Sequence, residues 1–255
     1  MRFGETKPGR FLPSGLTAKE RSTITDDMTD ITVAIDGPAG AGKSTVARTV
    51  ADKLGYTLVD TGAIYRAVAL LAKRQGVPWD DDDGLAAVVG HLDIAFELRD
   101  GKNLTLIAGV DVSDDIRTPE ISTGASRVSA RPVVRNGLLA LQRQLAGRGG
   151  AVLEGRDVGT VVCPDAPVKI YLDASPEERA RRRCAELDLK GHDARFDAVL
   201  SEIRERDARD QGRDQAPLKP ADDAIILDST KLNIDEVVAQ ILDAVRTAMR
   251  GLAGN

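Results

Sequence analysis

The sequence predicts an α/β fold in which helices cover both faces of a five-stranded parallel sheet. Five short runs rich in Val, Ile and Leu recur along the chain, at residues 31–36, 56–60, 151–154, 168–172 and 224–228. Most of these runs are apolar throughout, which is typical of strands buried on both faces of a parallel sheet. Segments of helical composition separate them, and this alternation favours parallel strands that are joined by helices.

The first strand leads directly into a glycine-rich loop. The loop matches the pattern G-x-x-x-x-G-K-[S/T] in full and consists of Gly37, Pro38, Ala39, Gly40, Ala41, Gly42, Lys43 and Ser44. Glycines in this pattern let successive backbone N–H groups point at phosphate oxygens, and the helix that follows adds the positive end of its dipole. The strand, the loop and the helical segment up to Leu54 therefore predict a P-loop NTPase fold.

Two side chains that follow the last glycine have expected roles. Lys43 is expected to reach the β- and γ-phosphates and Ser44 to bind Mg²⁺, while Thr45 completes the ATP-binding set. A plain glycine-rich turn between a strand and a helix is the alternative. That alternative leaves the lysine and the hydroxyl unexplained, so the sequence predicts a nucleoside triphosphate site.

Capping residues mark several helix ends. Ser175 precedes a proline and two acidic residues, and Asn233 stands before a similar segment, so each is expected to begin a helix. Gly147 and Gly191 are expected to end helices.

One stretch interrupts the alternation of strand and helix. Residues 92–112 alternate apolar and polar side chains on either side of Asp100 and Gly101, which predicts a β-hairpin that turns at these two residues. Thr118 and Pro132 then open two helices. A hairpin and helices inserted between parallel strands favour an accessory subdomain that binds a substrate. An insertion without such a role is the alternative.

Composition narrows the classes of function. The chain has 255 residues and a formal net charge of −5, which disfavours nucleic-acid polymers as partners. No apolar run approaches the ~20 residues that a membrane-spanning helix needs, so no membrane association is expected. Cys163 and Cys184 have neither metal-ligand nor disulfide spacing, which suits a cytoplasmic protein. The chain has only two histidines, and a zinc site is not expected.

Residues 1–30 are expected to form a disordered tail. They mix Gly, Pro, Ser, Thr and charged residues without periodicity. A second methionine, Met28, stands just before the first strand, and an upstream start codon is the alternative origin of the segment.

The second predicted strand ends at a polar group. Asp60 and Thr61 end the strand, and Arg66 stands one helical turn beyond them. Ligands of open α/β sheets bind beyond the carboxyl ends of the strands. Thr61 is therefore a candidate donor to a phosphate, and Arg66 is a candidate partner for the same group. A simple helix cap is the alternative.

The strand at 151–154 also ends at polar residues. Arg156 and Asp157 follow it and place a donor fork and an acceptor in the same crevice. If this strand neighbours the strand before the loop, Glu154 takes the position of the Mg²⁺-linked acid of phosphate-loop enzymes. Asp173 and Asp228 also end apolar strands, so they are alternatives for that acid.

The helix predicted at about 195–212 changes character along one face. Its apolar stripe consists of Phe196, Val199, Leu200 and Ile203. At 3.6 residues per turn, the same face continues through Arg206, Asp210 and Arg213. These charged residues belong either to a ligand site or to a set of ion pairs on the surface.

A second helix is rich in arginine. The group comprises Arg179, Arg181, Arg182 and Arg183. Such a run is usually a solvated face. The alternative is a mobile lid whose arginines close over the phosphates of ATP.

Taken together, these segments resemble bacterial cytidylate kinases, which are nucleoside monophosphate kinases. The matching strings are IDGPAGAGKS from Ile35, DTGAIYR from Asp60, DDIRT from Asp114, EGRDVGTVV from Glu154, PDAPVKI from Pro164 and ERDARD from Glu205. The resemblance extends over about residues 31–250. It implies transfer of a phosphate from ATP to CMP or dCMP, with Mg²⁺ as the cofactor.

The resemblance also implies a domain organisation. A single kinase domain over residues 31–255 would have its core at about 31–87 and 128–255. An insert at about 88–127 would bind the nucleoside monophosphate, and a small helical lid would span about 174–192. We further expect a monomer in the cytoplasm, with the nucleotides ATP, CMP and dCMP as its partners.

Individual roles follow from the resemblance, position by position. The acceptor phosphate would be held by Thr61, Arg66, Arg156 and Arg213. The cytosine would be read by Ser126, Arg135 and Asp157, and the ribose would contact Arg206 and Asp210. A lid arginine, Arg182 or Arg183, would act on the donor side. The catalytic set would be Lys43, Arg156, Arg182 and Arg213.

Two positions depart from the pattern of the family. The family often has Ser where Thr61 stands, and this exchange keeps the hydroxyl group. It often has Asp where Glu154 stands, and this exchange keeps the charge on a longer arm.

The chemistry of cytosine is consistent with an Asp and an Arg as base readers. Cytosine offers an amino donor at N4 and acceptors at N3 and O2, whereas uracil presents the opposite pattern at positions 4 and 3. A mismatched edge leaves buried polar groups unpaired, which can discriminate strongly. The nucleophile, a phosphate oxygen of CMP, is already anionic, so no dedicated general base is expected.

Two other classes remain as alternatives. One is another P-loop kinase with UMP, AMP or shikimate as the acceptor; the hairpin insert and the Glu-Gly-Arg-Asp string disfavour it. The other is a nucleotide-binding switch. A GTPase of that kind would need an Asn-Lys-x-Asp string, which the sequence lacks.

Overall fold

A computed structural model describes residues 30–99, 102–147, 150–189, 191 and 193–253. The expected tail, up to residue 29, and the expected hairpin turn at Asp100 and Gly101 lie outside these ranges. The strands are β1 (Thr32–Asp36), β2 (Thr57–Asp60), β3 (Ile94–Arg99), β4 (Lys102–Ile107), β5 (Val110–Asp111), β6 (Ala151–Gly155), β7 (Val168–Asp173) and β8 (Ile225–Asp228). The α-helices are α1 (Lys43–Leu54), α2 (Thr61–Arg74), α3 (Asp82–Gly90), α4 (Pro119–Val128), α5 (Pro132–Ala146), α6 (Pro176–Leu189), α7 (Phe196–Gln211) and α8 (Ile234–Ala253).

The main sheet has five parallel strands in the order β2-β6-β1-β7-β8. Side chains of a strand alternate between the two faces of the sheet. Val33 and Ile35 point to one face, where they join an apolar cluster with α1 and α8. Ala34 points to the other face and packs in a cluster with Ala146 of α5 and Val158. The predicted sheet with helices on both faces is thus confirmed.

A second apolar core lies beside the antiparallel sheet. Strands β3, β4 and β5 form this sheet, of which the short β5 was not predicted. Its core includes Ile64 of α2, Leu85 of α3, Ile107 of β4, Ile121 of α4 and Leu138 of α5. The predicted boundaries of the insert, at about 88 and 127, therefore fall inside α3 and α4. The division of the chain into core and insert stays a prediction.

Helix ends follow the predicted capping. Ser175 Oγ accepts a hydrogen bond from the N–H of Glu178 at 3.2 Å, and Asn233 Oδ1 accepts one from Glu236 at 2.9 Å. Gly147 directly follows the last residue of α5. Gly191 has a φ of 77°, which places it in the left-handed region after α6. None of the helices within the described ranges is long and apolar enough to cross a membrane.

Candidate active site

The glycine-rich loop lies between the carboxyl end of β1 and the start of α1. Gly37 has a φ of 147°, and a Cβ atom there would lie 2.0 Å from the carbonyl oxygen of Leu172 in β7. A side chain at this position would collide with the neighbouring strand. Gly42, with a φ of 93°, is the cap residue of α1. The loop therefore needs glycine at both positions, as the motif predicts.

Lys43 is buried inside this loop. Its Nζ donates a hydrogen bond of 2.6 Å to the carbonyl oxygen of Pro38, and the residue is only 6% exposed. Burial, and then the charge of Arg156, lower the pKa of the ammonium group well below its ordinary value. An anionic ligand in the loop would favour the charged form, because opposite charges at close range stabilise each other.

Glu154 contacts the loop helix from the neighbouring strand. Strand β6 pairs directly with β1, with Glu154 opposite Ile35, which meets the condition set for the Mg²⁺-linked acid. Ser44 Oγ donates a hydrogen bond of 2.9 Å to Glu154 Oε2. Burial and the nearby Asp60 carboxylate raise the pKa of Glu154 from 4.5 to about 7. This pair presents two oxygen ligands of the kind that Mg²⁺ prefers.

The two alternative acids have local partners instead. Asp173 Oδ1 accepts a hydrogen bond from the N–H of Ala174, and Asp228 Oδ1 accepts one from the N–H of Thr230. The described residues contain no cluster of three or more His, Cys, Asp or Glu side chains that could hold a metal ion alone. A metal at Ser44 and Glu154 would therefore depend on phosphate oxygens and water for its other ligands.

Thr61 and Arg66 stand where the sequence analysis placed them, at the end of β2. Asp60 caps α2 by accepting a hydrogen bond from Ala63, so the capping interpretation is correct for Asp60. Arg66 Nη2 donates to Asp60 Oδ2 at 2.6 Å, and Arg66 Nε is a buried atom without a hydrogen-bond partner among the described residues. Thr61 Oγ1 donates to the carbonyl oxygen of Glu154 at 2.7 Å. Its proton is thus engaged with the backbone, and its role towards a phosphate stays a prediction.

A cluster of half-buried arginines lines the cleft from α2, from α7 and from the residues just after β6 and α7. Asp210 is only 1% exposed and forms ion pairs with Arg156, at 3.0 Å, and with Arg213. Burial opposes ionisation of Asp210, but the surrounding guanidinium groups outweigh it and lower the pKa of this carboxyl. Because Asp210 is buried, these charged residues are not the set of surface ion pairs that was the alternative for this helix. The apolar stripe was predicted correctly except at Phe196, which is 38% exposed at the first residue of α7.

Arg206 of the same helix has the least compensated charge in this cluster. Its Nε is buried and makes no hydrogen bond within the part of the chain that the structure describes. Burial, and then Arg156, lower its pKa from 12.5 to about 10. The cluster of Arg66, Arg156, Arg206 and Arg213 has two carboxylate partners, Asp60 and Asp210. Its excess positive charge suits a phosphate dianion.

A buried polar pair lies next to this cluster. Arg135 of α5 forms an ion pair with Asp157, and both residues are less than 10% exposed. Arg135 also donates to the carbonyl oxygen of Ser129 at 3.2 Å and lies over the ring of Tyr65, 5.6 Å from its centroid. Ser126 lines the same cleft. Of the three residues expected to read a base, the structure pairs Arg135 with Asp157 and places all three on the cleft wall.

Asp36 is a site residue that the sequence analysis missed. It ends β1, and its carboxylate accepts hydrogen bonds from the N–H groups of Val158, at 2.8 Å, and Gly159, at 2.7 Å. These groups open the π-helical segment Val158–Val162, directly after Asp157. Burial raises the pKa of Asp36 from 3.8 to about 6. The position of Asp36 at the end of the first strand is a signal in the sequence for a site residue. Its hydrogen-bond partners, Val158 and Gly159, are too distant in the sequence to be predicted.

The arginines of α6 divide into different environments. Arg181 and Arg183 form exposed pairs with Glu178 and Glu186. Arg182 Nη2 donates to the carbonyl oxygen of Ser229 at 2.6 Å, and its Nη1 would lie 3.9 Å from a Cβ atom at Gly42. Arg179 is buried and makes several hydrogen bonds. The four arginines therefore do not share one environment. A solvated face accounts for Arg181 and Arg183, and the role of the helix as a lid stays a prediction.

One continuous cleft connects these groups. It has a volume of ≈ 1120 Å³ and runs from the loop, past the arginine cluster, to the antiparallel sheet. Its lining includes Lys43, Glu154, Arg66, Arg206 and Ser126. A phosphate loop, a facing arginine cluster and a buried polar pair in one cleft define a small-molecule kinase of the P-loop class.

Comparison with known proteins gives the family within this class. The family model "Cytidylate kinase" matches residues 33–247. A cytidylate kinase of Geobacter sulfurreducens is 51% identical over 222 residues, which are 87% of this chain and 95% of that protein. One of Vibrio cholerae is 51% identical over 217 residues, 85% of this chain and 96% of that protein. The chain belongs to the cytidylate kinase family.

Solved structures show a weaker likeness. A shikimate kinase from Acinetobacter baumannii, in complex with shikimate, matches with a TM-score of 0.45 and 14% identity, over 89% of this chain and 97% of that chain.

Proposed function

We propose that this protein transfers the γ-phosphate of ATP to CMP or dCMP and releases ADP with CDP or dCDP. The observation that carries the proposal is the composition of one cleft. A phosphate loop, a cluster of arginines and the buried Arg135–Asp157 pair all line this cleft. The names of the curated relatives, cytidylate kinases of about half-identical sequence, support the same reaction.

The donor nucleotide would be held by the loop. The loop from Gly37 to Thr45 would surround its phosphates, with backbone N–H groups from Ala39 onwards as donors and with Lys43 and Arg182 beside them. Ser44 and Glu154 would hold Mg²⁺ through their oxygen atoms. When bound, the metal would neutralise charge on the β- and γ-phosphate oxygens. The adjacent oxygen atoms of Ser44 and Glu154 support this cofactor assignment.

The acceptor phosphate would be held by the arginine cluster. Arg66, Arg156 and Arg213 each have an acidic partner, so a phosphate would compete with Asp60 and Asp210 for donor groups rather than meet free cations. The unpartnered Nε atoms of Arg66 and Arg206 supply donors without such competition. Thr61 would join only if its hydroxyl released the carbonyl oxygen of Glu154.

The nucleoside would lie between the cluster and the buried pair. Asp157 would accept from the N4 amino group of cytosine and Arg135 would donate to the acceptors N3 and O2, with Ser126 nearby. Arg206 and Asp210 would contact the ribose. Because Asp157 and Arg135 already bind each other, a base enters by replacing part of an existing network, which penalises a base with the wrong edge.

The chemical step needs charge neutralisation more than proton transfer. An oxygen of the CMP phosphate forms the new bond to the γ-phosphorus, and the bond between that phosphorus and the β-bridging oxygen breaks, so that ADP leaves with its charge. Lys43, Arg156, Arg182 and Arg213 would neutralise the transferring group. A lid at about 174–192 would exclude water during transfer. The monomeric state and the cytoplasmic location remain predictions from the sequence.

An acceptor panel tests the proposed function. ADP formation is measured with ATP and Mg²⁺ in the presence of CMP, dCMP, UMP, AMP or shikimate, and without any acceptor. The proposal expects stoichiometric ADP with CMP or dCMP and little with the others. Preference for UMP, AMP or shikimate would contradict the cytosine assignment. ADP formation that does not depend on an acceptor would favour a nucleotide switch.

A further inference from the structure

Arg179 is buried at the meeting point of three segments. Its Nε donates to the carbonyl oxygen of Ala174 at 2.9 Å, at the start of its own helix α6. Its Nη1 donates to the carbonyl oxygen of Ala39, in the phosphate loop, at 3.0 Å. Both Nη groups donate to Asp207 of α7, at 2.6 and 3.1 Å. The residue is 3% exposed, so these bonds are shielded from water.

The Ala39 contact brings α6 directly against the loop. A Cβ atom at Gly40 would lie 3.2 Å from Arg179 Cβ, so the loop backbone packs closely on this side chain. Ala39 and Gly40 belong to the loop that is expected to surround the donor phosphates. The position of the donor loop therefore depends on where the Arg179 guanidinium is held.

Asp207, the carboxylate partner of Arg179, stands next to residues that line the acceptor part of the cleft. It directly follows Arg206 on α7 and precedes Asp210 by three residues, and both neighbours line the cleft. Residues three and four apart lie on adjacent parts of one helix face. A shift of Asp207 would therefore move the groups expected to contact the ribose and the acceptor phosphate.

Apolar packing also holds α6 and α7 together. The two helices share an apolar cluster of their own, centred on Ala180, Val199 and Ile203. A buried ion pair adds little to stability compared with apolar packing, because desolvation offsets its attraction. Unlike the apolar cluster, the ion pair also contacts the phosphate loop, because Arg179 donates a hydrogen bond to the carbonyl oxygen of Ala39.

We propose that the Arg179–Asp207 pair couples the two nucleotide sites, so that binding of one nucleotide strengthens binding of the other. The inference rests on the proposed function. A donor nucleotide orders the loop, the Ala39 carbonyl then fixes Arg179, and Arg179 fixes Asp207 with the acceptor residues beside it. The nucleotide that binds first bears the free-energy cost of ordering the loop, Arg179 and Asp207. The second nucleotide then binds without that cost. Asp207 and Arg179 are positioning residues that touch neither nucleotide.

Equilibrium binding tests the coupling. A non-hydrolysable ATP analogue is titrated calorimetrically with Mg²⁺ present, with and without saturating CMP, and the ratio of the two dissociation constants is the readout. Coupled sites typically give a ratio of roughly 5 to 150. We expect the parent protein to fall in this range and Asp207→Asn to bring the ratio close to unity. Arg179→Lys, which keeps the charge but loses the fork between Asp207 and the loop, should reduce it as well.

A matched control separates coupling from stability. Glu202 lies on the exposed side of α7, and Glu202→Gln should leave the ratio unchanged. Thermal unfolding of each variant establishes that it is folded at the temperature of titration. A purely structural pair would lower the melting temperature and weaken both dissociation constants without changing their ratio, and this result would overturn the proposal.

Two further outcomes bear on different claims. If CMP does not change the affinity of the parent protein for the analogue, the coupling is absent and the proposal is wrong. Failure of the parent protein to form ADP with CMP would instead remove the proposed function itself. An active cytidylate kinase whose Asp207→Asn variant keeps the parent ratio would contradict the coupling alone.

Discussion

Ser44, in the first turn of α1, contacts Glu154 of β6: Ser44 Oγ donates a hydrogen bond of 2.9 Å to Glu154 Oε2. They are 110 residues apart in the chain. The contact exists because β6 is inserted between β1 and β2 in the sheet, which puts the carboxyl end of β6 beside the phosphate loop. The two residues proposed to hold Mg²⁺ thus come from the loop helix and from the adjacent strand.

The requirement for Mg²⁺ should increase in Glu154→Gln. The amide keeps the size of the side chain but removes the negative charge beside Ser44, and loss of such a group typically weakens metal affinity by about 10- to 100-fold. The measurement is the Mg²⁺ concentration that gives half-maximal ADP formation. Asp228→Asn removes an acid that caps Thr230 and should leave this value unchanged. A larger effect at Asp228 than at Glu154 would refute the assignment.

Turnover should fall steeply in Lys43→Ala. The ammonium group is the buried cation of the loop, and removal of a group that stabilises transition-state charge typically lowers kcat on the order of 10²- to 10³-fold. The value is measured at saturating ATP and CMP, so that weaker binding does not contribute. Lys219→Ala, at an exposed position, serves as the control. Near-normal turnover in Lys43→Ala would show that the proposed mechanism is wrong.

Base selectivity should relax in Asp157→Asn. The substitution replaces a carboxylate acceptor by an amide that can also donate, and a hydrogen bond to a charged group is worth about 1.5–3 kcal/mol. We expect the ratio of kcat/KM for CMP to that for UMP to fall by roughly 10- to 100-fold. Asp165→Asn, at an exposed position in the turn before β7, should keep the parent ratio. An unchanged ratio in Asp157→Asn would mean that another group reads the base.

Stability should fall as the pH rises through the titration of Asp36. Burial raises its pKa from 3.8 to about 6, so between these values the folded chain holds a proton that the unfolded chain has lost. This contribution is complete below about pH 4 and is lost above about pH 6, and it amounts to about 3 kcal/mol at most. The free energy of unfolding is measured in urea across this range.

Asp36→Asn should flatten that pH dependence, because the amide does not titrate. Asp197→Asn, on the exposed start of α7, should retain the slope of the parent protein. The same slope in Asp36→Asn and the parent would place the proton on another group.

Local signals in the sequence were sufficient for the elements and for their ends. Each predicted strand of the main sheet agrees with the structure to within about one residue, and Asn233 and Ser175 cap the helices they precede. Such features depend on neighbours within a helical turn or on strand periodicity. The phosphate loop belongs to the same class, since its geometry is encoded in eight consecutive residues.

Contacts between distant segments were not accessible in the same way. Nothing in the order of strands along the chain reveals that β6 lies between β1 and β2, so the position of Glu154 could be stated only as a condition. Asp36 was treated as part of a strand, although its carboxylate holds the turn after Asp157. Arg179 was grouped with its arginine neighbours, although burial against Asp207 separates it from them. These outcomes depend on tertiary packing.

The arginine cluster brings like charges close together. Arg156 lowers the pKa of Arg206, and a fold selected for stability alone would separate the two guanidinium groups. A phosphate dianion bound as proposed would remove this conflict, and it would then complete the electrostatics of the fold as well as serve as substrate. Under the proposed function, selection for catalysis and selection for stability would act in opposite directions at Arg206. A neutral side chain at that position would give a more stable protein and a poorer kinase.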